Sequence, residues 1–259
     1  MTSATESGPI AELGMYPFAS VRWAWDALWE ALRERVDWLP PKLGHSGDVH
    51  ARWDDPDCLV NHVCGWPLAR WHADDQRVLG AFSLTIPEAD GHRYRSTLVS
   101  PHDVALADLV AADVRVVANS VDSLSGWISL LHATVGEHDA FPGEISFSGA
   151  HVESLRMLAR AEGDLACVDS WSLALIGREQ PELVNGVHRL GLGPWIPSPA
   201  VTVRDTVPEH SGEQLADALV DALADDASEP IREALLVDGF VRLTIDDYRP
   251  VLTLRSGPS

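Results

Sequence analysis

The sequence is poor in basic residues: 19 Lys and Arg stand against 39 Asp and Glu, giving a formal net charge of -20. A protein that binds duplex nucleic acid normally carries a stripe of basic residues that neutralises phosphates. The composition therefore argues against a nucleic-acid partner. It does not exclude a small anion, because backbone N–H groups can hold one in a local pocket of an acidic protein.

Cysteine and long apolar runs are also scarce. The three cysteines, Cys58, Cys64 and Cys167, are odd in number and form no C-x-x-C pattern, which favours a reduced protein. No stretch approaches the roughly 20 apolar residues of a membrane span. Residues 1–8 lack the basic start and apolar run of a secretion signal. We therefore expect a cytoplasmic protein without a membrane span.

The common cofactor and metal motifs are missing as well. There is no P-loop, no G-x-G-x-x-G and no G-x-S-x-G, which disfavours nucleotide, dinucleotide and serine-hydrolase functions. His45, His50, His62 and His72 are close in sequence, but none has the H-E-x-x-H spacing of a zinc site. We expect neither a metal nor a cofactor.

What the chain does contain is regular apolar patterning, with 46% hydrophobic residues. Val21, Trp25, Leu28 and Leu32 follow a three- and four-residue spacing that predicts an amphipathic helix ending before Pro40. Helical patterns alternate with short apolar runs, which favours an α/β fold. The predicted strands lie at residues 9–15, 58–64, 77–84, 93–100, 114–118, 165–168 and 200–203. Residues 42–56 are polar and rich in turn-forming residues.

The stretch from Ser148 to Ser170 organises the functional prediction. A helix capped at or just after Ser148 leads through Gly163 into the apolar strand 165–168, and Asp169 follows where that strand ends. Ligands of α/β proteins collect at the carboxyl ends of strands and the amino ends of helices. We therefore expect His151, at the helix start, and Asp169 to line the same ligand-binding cleft.

Residues Asn119 to Gly126 repeat this arrangement, since a strand leads into a hydroxyl-rich loop and a helix start. Ser123 and Ser125 can cap that helix or bind a ligand. A helix N-terminus carries roughly half a positive charge and several free N–H donors. Two helix N-termini at the same cleft predict an anion-binding site.

Together these segments resemble the phosphate, phosphite and phosphonate substrate-binding proteins of ABC transporters. The resemblance rests on S-G-A-H-x-x-S at 148–154, G-D-x-A-x-V-D-S at 163–170 and N-S-x-D-S-x-S-G at 119–126. The segments 64–67, 93–96 and 238–240 add looser matches, and the likeness spans residues 9 to about 245. It implies a type 2 periplasmic-binding-protein fold, in which two α/β lobes enclose a ligand cleft. We expect residues 9–101 plus 200–259 in lobe 1, residues 102–199 in lobe 2, and a disordered tail at 1–8.

The resemblance also implies which residues bind the ligand, a small anionic or zwitterionic molecule related to a phosphonate or phosphate. In the family, hydroxyls and helix N-termini hold phosphoryl oxygens, and an acid receives the ligand's cationic or protonated end. Carried over by position, the pocket comprises Tyr16 at the end of the first strand, Tyr94 from the lobe opposite Asp169, and Ser123, Ser125, Gly126, His151 and Asp169.

Three functions remain open at this point. The first is ligand binding, with an ABC permease as partner only if the chain is exported. The second is a cytoplasmic biosynthetic enzyme built on the same fold, for which His151, Asp169, Cys64 and His62 are the catalytic candidates. His62 lies two residues before Cys64 and would share its face on a regular strand. The third is a protein-interaction module that uses exposed tryptophans. The sequence leaves the oligomeric state open.

Overall fold

The computed structural model describes residues 8–111, 114–134 and 143–254. The tail predicted at 1–8 lies outside the described residues, except for Gly8. The strands are β1 Ile10–Glu12, β2 Cys58–Val63, β3 Gln76–Leu84, β4 Ala89–Asp90, β5 Arg93–Ser100, β6 Arg115–Ala118, β7 Glu144–Phe147, β8 Leu165–Val168, β9 His188–Pro197, β10 Ala200–Arg204 and β11 Val237–Val241. The helices are α1 Ala19–Arg33, α2 Val49–Asp54, α3 Gly65–Trp71, α4 Leu106–Ala111, α5 Ser129–Thr134, α6 His151–Ala159, α7 Ser170–Glu179, α8 Pro181–Asn185, α9 Glu209–Ala224, α10 Glu229–Leu235 and α11 Ile245–Tyr248.

The described strands form two sheets, one in each lobe. The sheet of lobe 1 has the order β1-β2-β10-β3-β11, in which only the β1–β2 pair is parallel. The sheet of lobe 2 has the order β4-β5-β8-β6-β7, and β9 also pairs with β5. Strands β7, β6 and β8 are parallel, so their carboxyl ends meet at one edge. The α/β fold with two lobes is the predicted one.

Strand pairing puts one segment in a different lobe from the one expected. We expected residues 9–101 to belong to lobe 1, but β5 pairs with β8 and β9 in the second sheet. The physical reason is that β5 is buried over most of its length and joins antiparallel strands on both sides. Strand β10, in contrast, lies between β2 and β3 in the first sheet, as expected.

The predicted strands appear in the structure within a few residues of the expected limits, and the apolar stripe of α1 is buried. Val21, Ala24, Trp25, Leu28, Trp29 and Leu32 form this buried face. The polar, turn-rich residues 42–56 include a helix that was not predicted, α2, with Asp48 as its cap. Helix α2 has only six residues, too few for a periodic apolar pattern to reveal it.

An aromatic cluster joins the two lobes behind the cleft. Trp171 on α7 follows the second sheet, yet it packs against Tyr16, Trp25 and Phe82 of lobe 1. Its indole N–H donates to the carbonyl of Leu235 at 2.7 Å, also in lobe 1. Each aromatic pair contributes roughly 0.5–1.5 kcal/mol of stabilisation beyond that of its buried area. This cluster therefore stabilises the position of one lobe relative to the other.

Several tryptophans are exposed, but they lie on separate elements. Trp23 is on α1, Trp71 on α3 and Trp195 on β9, each about half exposed. Single exposed apolar residues are normal on protein surfaces and define no binding patch by themselves.

Within the described ranges, no helix combines the length and apolarity that crossing a bilayer requires.

His62 lies inside the aromatic cluster, and this placement predicts acid sensitivity. Burial lowers its pKa to about 3, and backbone groups of Pro199 and Leu13 offset only part of that effect. Between the ordinary value near 6.5 and about 3, the unfolded chain binds a proton that the folded chain does not. Stability should therefore fall as the pH drops below 6.5, by about 2–3 kcal/mol at pH 4.5.

Urea unfolding of the wild type and His62→Leu at pH 7.5 and pH 4.5 measures this contribution. The variant should lose less stability on acidification than the wild type, because it lacks the buried titrating group. His188→Leu, which changes an exposed histidine on β9, is the control and should behave as the wild type. Equal losses in the wild type and His62→Leu would contradict the assignment.

Candidate functional site

A cavity of about 700 Å³ lies between the lobes. Its walls come from the end of β1 and start of α1, the segment leading into α2, the loop after β6, the start of α6, and both ends of α7. Cavities of about 300–1,000 Å³ are typical of small-molecule sites. The residues that line it are 14–19, 47–50, 53, 64, 67, 119, 120, 122, 123, 125, 149–152, 169, 172, 179 and 180.

The start of α6 supplies backbone donors to this cavity. Its cap position is Ala150, whose side chain has no acceptor, and no side chain caps the helix. We expected a cap at or just after Ser148, and Ser148 itself contacts the carbonyl of Ala150 at 2.9 Å and the hydroxyl of Ser154 at 2.7 Å. The first N–H groups of a helix have no intrahelical partner. The N-terminus of α6 is therefore free to bind an anion.

The loop after β6 brings two hydroxyls to the same cavity. Ser123 accepts a hydrogen bond from the N–H of Gly126 at 3.0 Å, so it does cap the π-helical turn Leu124–Ile128. A hydroxyl that accepts one bond can still donate its proton. Ser125 lies 3.1 Å from Nε2 of His151. The predicted convergence of Ser123, Ser125 and His151 is thus present.

His151 is held in a neutral, partly unsatisfied state. Burial lowers its pKa, and the negative charge of Asp169 opposes that effect only in part. Its Nδ1 is buried and has no hydrogen-bond partner within the described part of the chain. A neutral imidazole has one donor and one acceptor nitrogen. His151 therefore offers a ligand a directed hydrogen bond rather than a positive charge.

Asp169 is buried at the base of the cavity and is held by neutral donors. Its Oδ1 accepts the N–H of Ser172 at 2.6 Å, which caps α7, and its Oδ2 accepts the phenol of Tyr16 at 3.2 Å and that of Tyr94. Burial, and secondarily the charge of Asp169, raises the pKa of both tyrosines well above the usual value. Both phenols therefore stay protonated and donate to the carboxylate.

Tyr94 and Gly126 have roles that differ from those expected. Tyr94 lies on β5, which pairs with β8, so it shares the sheet of Asp169 rather than facing it from the opposite lobe. It supports Asp169 from behind and does not line the cavity. Gly126 does not line the cavity either. A Cβ there would lie 1.9 Å from Oδ1 of Asn119, so the glycine makes room for that amide.

Cys64 and His62 do not form the predicted pair. Cys64 lines the cavity, but no hydrogen bond joins it to His62, whose ring lies in the aromatic cluster. Burial raises the pKa of the Cys64 thiol to about 11, and the charges of Asp122 and Asp169 add to this effect. A nucleophilic cysteine needs the opposite, a base or a positive environment.

The segment Gly47–Trp53 is part of the site that the sequence did not reveal. Asp48 accepts the N–H of Ala51 at 3.1 Å and starts α2, while buried Glu12 binds Arg52 at 3.0 Å and fixes the segment to β1. The available signal was the Asp48 capping position. That position alone does not place α2 at the cavity, because the placement depends on Glu12, which is distant in sequence.

Glu179 is a second unpredicted wall residue. It accepts the N–H of Ser20 at 2.6 Å across the lobes.

The four histidines weighed as metal ligands are separated by their partners. His45 pairs with Asp26, His50 with Asp122, and His72 with Asp75, while His62 is enclosed by rings. Across residues 8–111, 114–134 and 143–254, no group of three or more His, Cys, Asp or Glu side chains could hold a metal ion.

Comparisons with known proteins place the chain in a family. Residues 65–248 match the family described as "ABC transporter, phosphonate, periplasmic substrate-binding protein". A search of curated proteins gave no match.

Solved structures with the same fold include three informative relatives. A binding component of a phosphonate ABC transporter from Pseudomonas aeruginosa, PA3383, has 14% identity and a TM-score of 0.73, covering 96% of this chain and 86% of that one. PhnD1 from Prochlorococcus marinus, in complex with methylphosphonate, has 11% identity and a TM-score of 0.73, covering 95% and 96%. XAC2383 from Xanthomonas citri, bound to ATP, has 11% identity and a TM-score of 0.69, covering 97% of each chain.

The family match covers residues 65–248, which is more than half of the chain. The two-lobed α/β fold agrees with this match. The protein belongs to the phosphonate-binding family of ABC-transporter periplasmic substrate-binding proteins, whose function is to bind a small ligand.

Proposed function

We propose that the interlobe cavity binds an oxyanion of the phosphonate or phosphate-monoester class, and that Ser123, Ser125, His151 and the start of α6 hold its oxygens. The observation that carries this proposal is the uncapped N-terminus of α6 beside the unpartnered Nδ1 of His151. Unsatisfied donors that converge on one cavity are typical of an anion site. The methylphosphonate complex of the Prochlorococcus relative supports the same ligand chemistry.

Asp169 has a different role in this proposal, because a carboxylate repels a fully ionised anion. It has about four lone-pair positions, of which Ser172, Tyr16 and Tyr94 use three. The remaining capacity suits a protonated oxygen or a cationic group of the ligand. Asp169 then selects the ligand by its protonation state or by its substituent.

The enzyme alternative finds no support in the cavity. Cys64 has a raised pKa and His62 lies away from the cavity, so the predicted nucleophile and base do not act together. His151 and Asp169 are better explained as binding groups. Delivery of the ligand to an ABC permease belongs to this proposal only for an exported form of the chain.

Substitutions at the anion site should weaken binding. We expect His151→Ala and Ser125→Ala each to raise the Kd for methylphosphonate about 10- to 100-fold, since hydrogen bonds to charged groups contribute roughly 1.5–3 kcal/mol. Isothermal titration calorimetry at pH 7.5 measures the affinities, and inorganic phosphate serves as a second probe.

His188→Ala, an exposed change on β9, is the control and should leave the affinity unchanged. Circular dichroism checks that each variant is folded. If the folded His151→Ala and Ser125→Ala variants bind both probes as the wild type does, or if the wild type binds neither, the proposed function is wrong.

Cys64 should react slowly even though it faces the cavity. With a pKa of about 11, its thiolate fraction at pH 8 predicts alkylation by iodoacetamide roughly two orders of magnitude slower than for free cysteine. Peptide mass spectrometry of the native protein, sampled over time, measures the rate. Unfolding in urea should raise it to the free-cysteine value. Rapid native modification of Cys64 would restore the nucleophile hypothesis.

A further inference from the structure

We propose that the lobe 1 wall of the interlobe cavity binds an apolar substituent, so that the preferred ligand is a phosphonate or phosphate monoester carrying a ring-sized apolar group. This inference rests on the proposed function, because it uses the same cavity. It adds the side chains that select the organic part of the ligand.

The first observation is the different chemistry of the two cavity walls. Lobe 2 contributes the hydroxyls of Ser123 and Ser125, the imidazole of His151 and the backbone donors of α6. Lobe 1 contributes a largely apolar wall, which comprises Met15, Phe18, Val49, Trp53 and Pro67. Small-molecule sites typically combine an apolar lining with a few polar groups that fix the orientation of the ligand. The polar wall therefore suits the oxyanion, and the apolar wall suits the group attached to it.

The second observation is that polar atoms on the lobe 1 wall already bind the protein. The phenol of Tyr16 donates to Asp169, and the carboxylate of Asp48 caps α2. The indole N–H of Trp53 donates to the carbonyl of His62 at 3.0 Å, which satisfies the only polar atom of that side chain. A hydroxyl or charged substituent placed against this wall would lose its hydrogen bonds to water with little replacement, which is costly. An apolar substituent incurs no such cost.

The third observation is that the apolar wall lies beside the proposed oxyanion site. The ring centroids of His50 and Trp53 are 4.6 Å apart, and Nδ1 of His50 is 3.7 Å from the carboxylate of Asp122. Asp122 directly precedes Ser123 in the chain. A substituent on an oxyanion held at Ser123 and Ser125 therefore reaches these rings within a few bonds. The cavity of about 700 Å³ leaves room for a group larger than the methyl of methylphosphonate.

Two phosphonates that differ in the size of the apolar group test the inference. Calorimetric titration at pH 7.5 compares benzylphosphonate with methylphosphonate. We expect the wild type to bind benzylphosphonate about tenfold or more tightly, because its ring is removed from water. Titration at several temperatures should also give a more negative heat-capacity change for benzylphosphonate, which is the marker of buried apolar surface.

Substitutions that make the wall polar, with little change in size, assign the preference to it. Val49→Thr replaces a methyl group by a hydroxyl, and Met15→Gln replaces the thioether by an amide. We expect the double variant to reduce the preference for benzylphosphonate to about twofold or less. The loss should appear in the affinity for benzylphosphonate, with methylphosphonate bound as before.

Val121→Thr is the matched control. Val121 is exposed and adjoins the loop that carries Ser123, but it does not line the cavity. This variant should keep the wild-type ratio of affinities. A loss equal to that of the double variant would contradict the assignment to the lobe 1 wall.

The inference is overturned if the wild type binds benzylphosphonate no more tightly than methylphosphonate, or if the double variant keeps the wild-type ratio. It is also overturned if the double variant weakens both probes equally, which would indicate a structural role for the wall. Each of these results leaves the proposed function intact, because methylphosphonate still binds the wild type. If no phosphonate binds the wild type, the proposed function fails and this inference fails with it.

Discussion

The buried carboxylate of Asp169 is the interaction on which the site depends. It ends a strand of lobe 2, caps α7 through Ser172, and accepts the phenol of Tyr16 from lobe 1. Tyr94 holds it from within its own sheet. None of its hydrogen-bond partners among the described residues is Lys or Arg, so the negative charge is stabilised by hydroxyl donors and by the N-terminus of α7. One side chain thereby joins the two lobes, starts a helix and sets the polarity of the cavity.

This constraint explains how a chain with a net charge of -20 can present the anion site that we propose. The donors at the site are dipoles rather than charges: the free N–H groups of α6, the hydroxyls of Ser123 and Ser125, and neutral His151. Dipoles act only over short distances, so they can hold an oxyanion locally while the surrounding carboxylates oppose a second negative charge. Under the proposed function, the cavity therefore selects for the total charge of the ligand as well as for its oxyanion.

Much of the fold could be predicted because its signals are local. Short apolar runs in the sequence mark β2, β6 and β8, which are buried. The apolar residues of α1 recur every three or four positions, as in an amphipathic helix. The convergence of Ser123, Ser125, His151 and Asp169 was also predictable, since each follows a strand or starts a helix at one edge of a sheet.

What could not be predicted depends on pairing between distant segments. The lobe of Tyr94 follows from the partners of β5, which no local pattern specifies. The distance between His62 and the cavity arises because Trp171, Tyr16 and Phe82 enclose its ring. Likewise, α2 belongs to the cleft wall because Glu12 binds Arg52, 40 residues away. The misassigned residues are those whose environment comes from another part of the chain.

The contacts across the cleft also connect binding with the relative position of the lobes. Tyr16 with Asp169, Ser20 with Glu179, and His50 with Asp122 each join the lobes, and each pair includes a residue that lines the cavity. Under the proposed function, a ligand at Asp169 contacts one of the residues that join the lobes. The acids that would set ligand selectivity under the proposed function are thus the same acids that join the lobes.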